Sequence, residues 1–359
     1  MRYAMIMAGG SGTRLWPMSR EALPKQLIPF VRGESLLAHA ARRIEGVVPP
    51  ERRLICTNER FRSAIRASLP GFADDAILGE PTGRDTLNAV GFTAAILALR
   101  DPSAIFAVLT SDHLIEPQEE FARRLEEGFS LVEEDPRRLV TFGIAPTFAA
   151  TGYGYVERGE RLPGRDDAYA ARRFVEKPDR ETAEAYVAEG TFWWNSGMFV
   201  FAAATVLDAI RRYRPATADG LARIAAEWNT PHRKATLDAI YPELHKISVD
   251  YGLMEPASRD PELSICVVPM RVQWIDVGSW PSYATTLEPD ADGNRCVGTV
   301  VAAESGGCLV VSDDPGHVVA LVGCEDLIVV RTADATLVCR SDRAEMVKSI
   351  AGRMPPTHR

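Results

Sequence analysis

The stretch Tyr3-Ala4-Met5-Ile6-Met7-Ala8-Gly9-Gly10-Ser11-Gly12-Thr13-Arg14-Leu15-Trp16-Pro17 decides the fold class of this chain. Residues 3–7 form a short apolar run that reads as a buried strand. The run breaks on Gly9, Gly10 and Gly12, so the strand ends in a loop of the size that wraps a phosphate. Residues 54–57 and 105–109 repeat the apolar strand, the second ending at Thr110-Ser111-Asp112-His113. Residues 35–45 and 88–100 read as helices, which predicts β/α units around a mainly parallel sheet. In such sheets functional groups gather at the carboxyl ends of the strands, where both the glycine loop and Asp112 fall.

The loop matches neither of two common phosphate-binding fingerprints. Leu15 stands where a dinucleotide-binding G-x-G-x-x-G has its third glycine, and no Gly-Lys-Ser/Thr ending of a P-loop follows. Taken alone, the segment also reads as a tight strand-to-helix turn. Arg14, Arg20 and Lys25 separate the two readings. Glycines let backbone N–H groups approach phosphate oxygens, and nearby guanidinium and ammonium groups offset the charge of a triphosphate. A purely structural turn has no need of those charges.

Beyond residue 139 the pattern is mixed. Strand candidates at 139–144, 170–175, 198–202 and 264–269 are separated by helical segments and turns, giving an α/β region with some antiparallel content. After Asp290-Ala291-Asp292-Gly293-Asn294, short β runs take over at 298–302, 308–312, 318–322, 327–331 and 336–339. Residues 1–288 are therefore expected to form one large α/β domain and 289–359 a small all-β domain. Asp342 followed by Glu345 suggests a capped final helix, and the Pro355-Pro356 tail is expected to fray.

The stretch from Met7 to Pro17, together with Pro24-Lys25-Gln26, resembles the nucleotide-binding signature of the sugar-1-phosphate nucleotidyltransferases, and Trp16 is similar to the branch that makes GDP-mannose. Further matches follow in chain order. Glu80-Pro81 and Arg84-Asp85-Thr86 resemble the family's nucleobase-binding segment, and Ser111-Asp112-His113 its metal-bearing strand end. Thr151-Gly152-Tyr153-Gly154-Tyr155 and Phe174-Val175-Glu176-Lys177-Pro178 resemble the sugar-phosphate site, and Trp194-Asn195-Ser196-Gly197-Met198-Phe199 a sugar-contacting turn. Ser248-Val249-Asp250-Tyr251-Gly252 and Trp274-Ile275-Asp276-Val277-Gly278-Ser279-Trp280 resemble the last two motifs of the catalytic domain. The resemblance spans roughly residues 1–285, and the shared order of its motifs is far more specific than any one of them. One departure stands out: Arg84-Asp85-Thr86-Leu87-Asn88 replaces the Arg-Asn-Thr-Ala-Pro of the family's guanylyl-transferring members, which bears on base specificity.

The resemblance implies a Rossmann-like α/β nucleotidyltransferase catalytic domain over residues 1–288 with a mixed, mainly parallel sheet, and a small β-helix-like domain over 289–359 of the kind through which the family often self-associates, which suits a homodimer. It implies an enzyme acting on GTP and mannose 1-phosphate with Mg²⁺ as cofactor. Nucleotide binding falls to Ala8, Gly9, Gly10, Ser11, Gly12, Thr13, Arg14, Lys25, Glu80, Pro81, Arg84, Asp85, Thr86, Ser111 and Asp112. The sugar phosphate falls to Gly154, Tyr155, Glu176, Lys177, Asn195, Gly197 and Asp276, the metal to Asp112 and Asp276, and catalysis to Arg14, Lys25, Asp112 and Asp276. The residue types suit the chemistry. Two anions must be brought together, so the site needs positive charge more than a base, and a phosphate monoester is already largely dianionic at neutral pH. Hard carboxylate oxygens suit Mg²⁺. Glu80 and Asp85 are acceptors for guanine's N1–H and N2 amino group. Each also has a structural reading: the aspartates as caps or turn residues, Glu176-Lys177 as a surface pair, Asn195-Ser196-Gly197 as an ordinary turn. His113 is assigned a supporting or structural role and Trp193-Trp194 core packing.

Bulk properties narrow the class. With 359 residues and 46% hydrophobic side chains the chain is long and apolar enough for a sizeable core. Its net charge of -8 gives no general attraction to nucleic acid or acidic membranes. No stretch approaches the roughly 20 apolar residues that span a bilayer. No signal peptide is visible, and six scattered cysteines without a C-x-x-C pair read as reduced thiols, so a cytoplasmic location is expected. The length leaves no room for the isomerase domain of longer relatives, so a single activity is expected. Three readings stay open: another nucleotide pair using glucose 1-phosphate with UTP, dTTP or ATP; a non-catalytic regulatory subunit that binds sugar nucleotides; and a dinucleotide-dependent oxidoreductase, which Leu15 and the flanking cations weaken.

Overall fold

Strand β1 (Arg2–Ala8) buries Tyr3, Ala4, Met5 and Ile6 because it runs inside a sheet, with β2 (Arg53–Asn58) on one side and β4 (Ile105–Thr110) on the other, both parallel to it. This chain is described here as a computed structural model covering residues 1–10 and 12–359; Ser11, expected to bind nucleotide, lies outside the described residues. Its internal contacts divide it into two units.

The first unit comprises Met1–Gly9, Ala40–Thr110 and Ile115–Gln273. It holds a nine-stranded mixed sheet in the order β3-β2-β1-β4-β9-β6-β10-β8-β7, in which β3 is Ile77–Glu80, β6 Arg138–Ile144, β7 Tyr155–Arg161, β8 Tyr169–Val175, β9 Phe192–Ala202 and β10 Ser264–Pro269. Strands β3, β2, β1 and β4 are mutually parallel, the Rossmann-like half. Strand β9 runs antiparallel to both β4 and β6 and also pairs with β7. The helix Thr86–Arg100 is buried continuously from Leu87 to Leu97, as expected of a helix covered on all sides. Its Val90, Phe92 and Ile96 join Met5, Val108, Phe199 and Tyr241 in one apolar cluster. Fully burying each such side chain contributes about 1.5–3 kcal/mol.

The second unit comprises Gly10–His39, Ser111–Leu114 and Trp274–Arg359. Strand β5 (His113–Glu116) pairs with β11 (Gln273–Asp276). Downstream, β12 (Arg295–Val297), β14 (Leu309–Ser312) and β16 (Leu327–Arg331) stack in parallel, and β17 (Thr336–Arg340) closes that sheet antiparallel to β16. A second parallel pair is formed by β13 (Thr299–Ala303) and β15 (Val318–Val322). Successive parallel rungs in two sheets make this region β-helix-like. The period-two alternation of a strand explains why these sequences are apolar throughout. Leu309, Val311, Ile328 and Val330 face a cluster with Leu15, Trp16 and Trp280, while Val310 and Val329 face another with Cys308 and Leu321.

Two expectations for the C-terminus are corrected. The final helical segment (Ser341–Met346, continuing as Val347–Ala351) has no side-chain cap: Asp342 pairs with Arg340 and Glu345 with Arg14. The tail does not fray, since Trp16 Nε1 donates to the His358 carbonyl at 2.7 Å and Glu21 N to that of Arg359 at 3.0 Å.

Candidate active site

In the second unit, the glycine loop turns through Gly12 at φ 61° into a single 3₁₀ turn, Thr13–Leu15. Glycine is required there twice over. The left-handed backbone penalises other residues, and a Cβ would stand 2.6 Å from Lys25 Cβ. The loop therefore packs directly on Lys25, which opens its own short turn, Lys25–Leu27. Ser19 Oγ donates to the Gly12 carbonyl at 2.6 Å and braces the turn.

Lys25 Nζ lies 2.7 Å from Asp112 Oδ2 and 3.3 Å from the Val277 carbonyl. Burial works against its charge, but Asp112 and Asp276 more than offset that and hold the ammonium above the ordinary lysine range. Conversely, burial would raise the Asp112 carboxyl, yet the Lys25 ammonium beside it keeps it below the usual aspartate range. Asp276 is placed by backbone pairing at its flank, Val277 N donating to the Asp112 carbonyl at 3.1 Å, while Ser282 Oγ donates to its own carbonyl.

Asp112, His113 and Asp276 present ligand atoms that all lie within 4.8 Å of one another, a group able to hold a divalent cation. The histidine's part follows from its other nitrogen. Trp274 Nε1 donates to His113 Nδ1 at 3.1 Å, and an indole N–H can only donate, so the proton of the neutral ring sits on Nε2. Nε2 is 3.7 Å from Asp112 Oδ1 and 4.0 Å from Asp276 Oδ1. In that tautomer the Nε2–H of His113 faces the two carboxylates, and the oxygens of Asp112 and Asp276 are the atoms suited to the metal. That is the supporting role expected of His113 from the sequence, where its adjacency to Asp112 is the signal. Ser111 is buried beside it. Arg14 points to Glu345, with Nε 2.7 Å from Oε2 and both side chains exposed.

Three groups of residues from the sequence reading lie in the first unit. Glu80 ends β3, is buried, and accepts a 2.5 Å hydrogen bond from Tyr241 Oη. Burial pushes its carboxyl up to about 7, against the pull of the Tyr241 bond and with help from Asp85. Pro81 follows it. Asp85, at φ 68°, caps the helix Thr86–Arg100 by accepting from Thr86 N at 2.8 Å. Asn88 donates its amide hydrogens to the Arg84 carbonyl at 2.6 Å and the His245 carbonyl at 2.9 Å. Thr86 Oγ1 accepts from Val249 N at 2.8 Å, so the whole segment is fastened to residues 245–249.

Of the residues expected to take the sugar phosphate, Gly154, Tyr155, Glu176, Lys177, Asn195 and Gly197 lie together in this unit, whereas Asp276 belongs to the second. Asn195 N donates to the Gly154 carbonyl at 2.8 Å, its Oδ1 accepts from Thr141 Oγ1 at 2.9 Å and from Gly197 N at 3.2 Å, and its Nδ2 donates to Asp250 Oδ1 at 2.9 Å. A Cβ at Gly154 would stand 2.5 Å from Glu176 Oε2, so glycine there is what admits the Glu176 carboxylate. Glu176 is buried and pairs with the exposed Lys177, Oε1 to Nζ 2.7 Å. Asp250, unassigned by sequence, joins this group, and burial together with the neighbouring Glu176 pushes its carboxyl upward. Tyr155 is fully buried with its hydroxyl donating to the Ala150 carbonyl at 3.0 Å, so the face it offers the site is backbone. Ala8 ends β1, buried, its carbonyl accepting from Thr57 Oγ1 at 2.9 Å. Gly9 follows it in this unit and Gly10 in the second, both exposed.

The nucleotidyl transferase family model matches residues 3–292, and a model of the MannoseP isomerase/GMP-like beta-helix domain matches residues 298–354. The chain belongs to the nucleotidyl transferase family. It is 37% identical over 353 residues to a mannose-1-phosphate guanylyltransferase of Klebsiella pneumoniae, covering 97% of this chain and 73% of that protein. It is 36% identical over 356 residues to the xanthan biosynthesis protein XanB of Xanthomonas campestris, covering 98% and 72%. A solved structure from Thermus thermophilus, titled a mannose-1-phosphate geranyltransferase, superposes with a TM-score of 0.85 at 34% identity, covering 98% of both chains. No helix among the described residues is long and apolar enough to cross a membrane.

Proposed function

We propose that this enzyme transfers GMP from GTP to α-D-mannose 1-phosphate, giving GDP-mannose and pyrophosphate. The observation that carries the reading is the cluster of Lys25, Asp112, His113 and Asp276 packed against the glycine loop through Gly12. The names of the relatives above supply the sugar and the base.

In the reaction, an oxygen of the sugar's phosphate attacks the α-phosphorus. The bond from that phosphorus to the oxygen bridging the β-phosphate breaks, and its electron pair leaves with pyrophosphate. The attacking phosphate is already ionised at neutral pH, so no side chain need take a proton. Asp112 and Asp276 would hold Mg²⁺, whose chemistry when bound is to neutralise phosphate charge and polarise the α-phosphoryl group. Lys25 and the loop amides bind the triphosphate, and Arg14, exchanging Glu345 for phosphate, stabilises the departing pyrophosphate. Glu80 and Asp85 read the base; Glu176, Asn195 and Gly197 take sugar hydroxyls; Lys177 takes the sugar phosphate. We assign residues 1–288 to catalysis and 289–359 to the β domain.

We infer a cytoplasmic location for the enzyme as part of the same reading, which its six free thiols suit, as expected in a reducing compartment. We also assign it a homodimer through the outer face of β13 and β15. There Val301, Val318 and Val322 are 59%, 55% and 76% exposed and, by strand alternation and register, share one side with Ala303 and Ala320. Phosphorus NMR of a reaction with GTP, mannose 1-phosphate and Mg²⁺ tests the activity: new diphosphate doublets and free pyrophosphate are expected, whereas orthophosphate and GDP would mean hydrolysis and sink the assignment.

A further inference from the structure

Trp16 and Arg20, which flank the turn between the glycine loop and Lys25, are engaged by the C-terminal segment. The indole of Trp16 is buried, and its Nε1 donates to the His358 carbonyl at 2.7 Å. Arg20 donates to the same carbonyl oxygen at 2.5 Å and to Asp334 Oδ1 at 2.7 Å, with its guanidinium 5.5 Å from the Trp16 ring centre. Two donors thus fill the two lone pairs of one oxygen. Glu21 N adds a bond to the Arg359 carbonyl at 3.0 Å, and Arg359 Nε turns back to the Met354 carbonyl at 2.7 Å. Leu15 and Trp16 share an apolar cluster with Val347, Ala351 and Met354. Arg20, which the sequence suggested as a phosphate cation, is therefore already paired.

A single 3₁₀ turn next to glycines has little stability of its own, since ordering each residue costs about 1–2 kcal/mol and the turn closes few bonds in return. Its shape must come from outside. We propose that residues 341–359 form a clamp that fixes the triphosphate loop, with Trp16 and Arg20 as positioning residues that hold the His358 carbonyl. This rests on the assignment of the triphosphate to that loop. The C-terminal segment is then part of the nucleotide site's support, in addition to any role in pairing two copies.

Trp16→Phe removes the N–H and keeps the ring; Asp334→Ala loosens Arg20 from outside the loop; Arg340→Ala breaks an exposed ion pair of the same region and serves as control. Steady-state kinetics on the full chain should show KM for GTP rising roughly five- to tenfold in the first two variants, the scale of one lost hydrogen bond in a pre-organised site. KM for mannose 1-phosphate should stay within about twofold, and Arg340→Ala should match the wild type. Unchanged KM for GTP in both variants overturns the clamp, as does a parallel rise of both KM values with a falling melting temperature, which marks general destabilisation. If the wild type itself turns over no GTP, the functional reading has failed instead.

Discussion

Glu80→Gln should stabilise the folded chain at neutral and alkaline pH while changing little at pH 4. The carboxyl is buried, and its pKa rises from 4.5 to about 7 in the fold, chiefly through loss of solvation. The folded state thus binds the Glu80 proton more tightly than the unfolded chain. That contribution is fully present below about 4.5 and is lost as pH rises through about 7. Each tenfold difference in proton affinity is worth about 1.4 kcal/mol, so the wild type gives up on the order of 3 kcal/mol across this window. Glutamine carries no charge at any pH and can still accept from Tyr241 Oη, which bonds Glu80 at 2.5 Å. Urea unfolding of both proteins from pH 4 to 9 isolates this group, because the other titrations cancel in the difference. The stability difference should shift in favour of the variant by about 2–4 kcal/mol between pH 4.5 and 8, then level off. A difference that does not vary with pH would refute the reasoning.

Gly154→Ala places a methyl 2.5 Å from Glu176 Oε2 and should raise KM for the sugar phosphate about tenfold with KM for GTP nearly unchanged, as steady-state kinetics would reveal. Asp276→Asn should lower kcat by roughly 100-fold or more and weaken metal binding, measured by Mg²⁺ or Mn²⁺ titration; full activity in this variant would remove Asp276 from the metal site. Val322→Lys, on a 76% exposed position, should convert a dimer to a monomer in light scattering, and a wild type that is already monomeric would dispose of that interface.

Much of the fold was legible because local pattern and tertiary role coincide. The first apolar run is the buried strand β1, and its glycines mark the loop because Gly12 needs both a positive φ and room beside Lys25. Strands β14 and β16 are apolar throughout because clusters lie on both of their faces, while β13 and β15 turn one face to solvent. Strand β9 was legible only from residue 198. Its first half, Phe192 to Gly197, looks like an aromatic turn and is extended because β6 and β7 pair with it on both edges. The site was legible where motifs named residues and obscure where partners are remote. Asp276 joins the adjacent Asp112 and His113 from more than 160 positions downstream, and Asp250 reaches Asn195 across 55 residues. The tail reads as loose from Pro355-Pro356, yet its carbonyls meet donors some 340 positions earlier. No periodicity encodes such contacts.

The most direct measurement is pyrophosphate release with each pairing of GTP, UTP, dTTP or ATP with mannose 1-phosphate or glucose 1-phosphate, with and without Mg²⁺. The account expects kcat/KM for GTP with mannose 1-phosphate to exceed every other pair at least about 100-fold, and no turnover without metal. A different winning pair would contradict the assigned base or sugar, and GDP-mannose binding without turnover of any pair would contradict the enzyme itself.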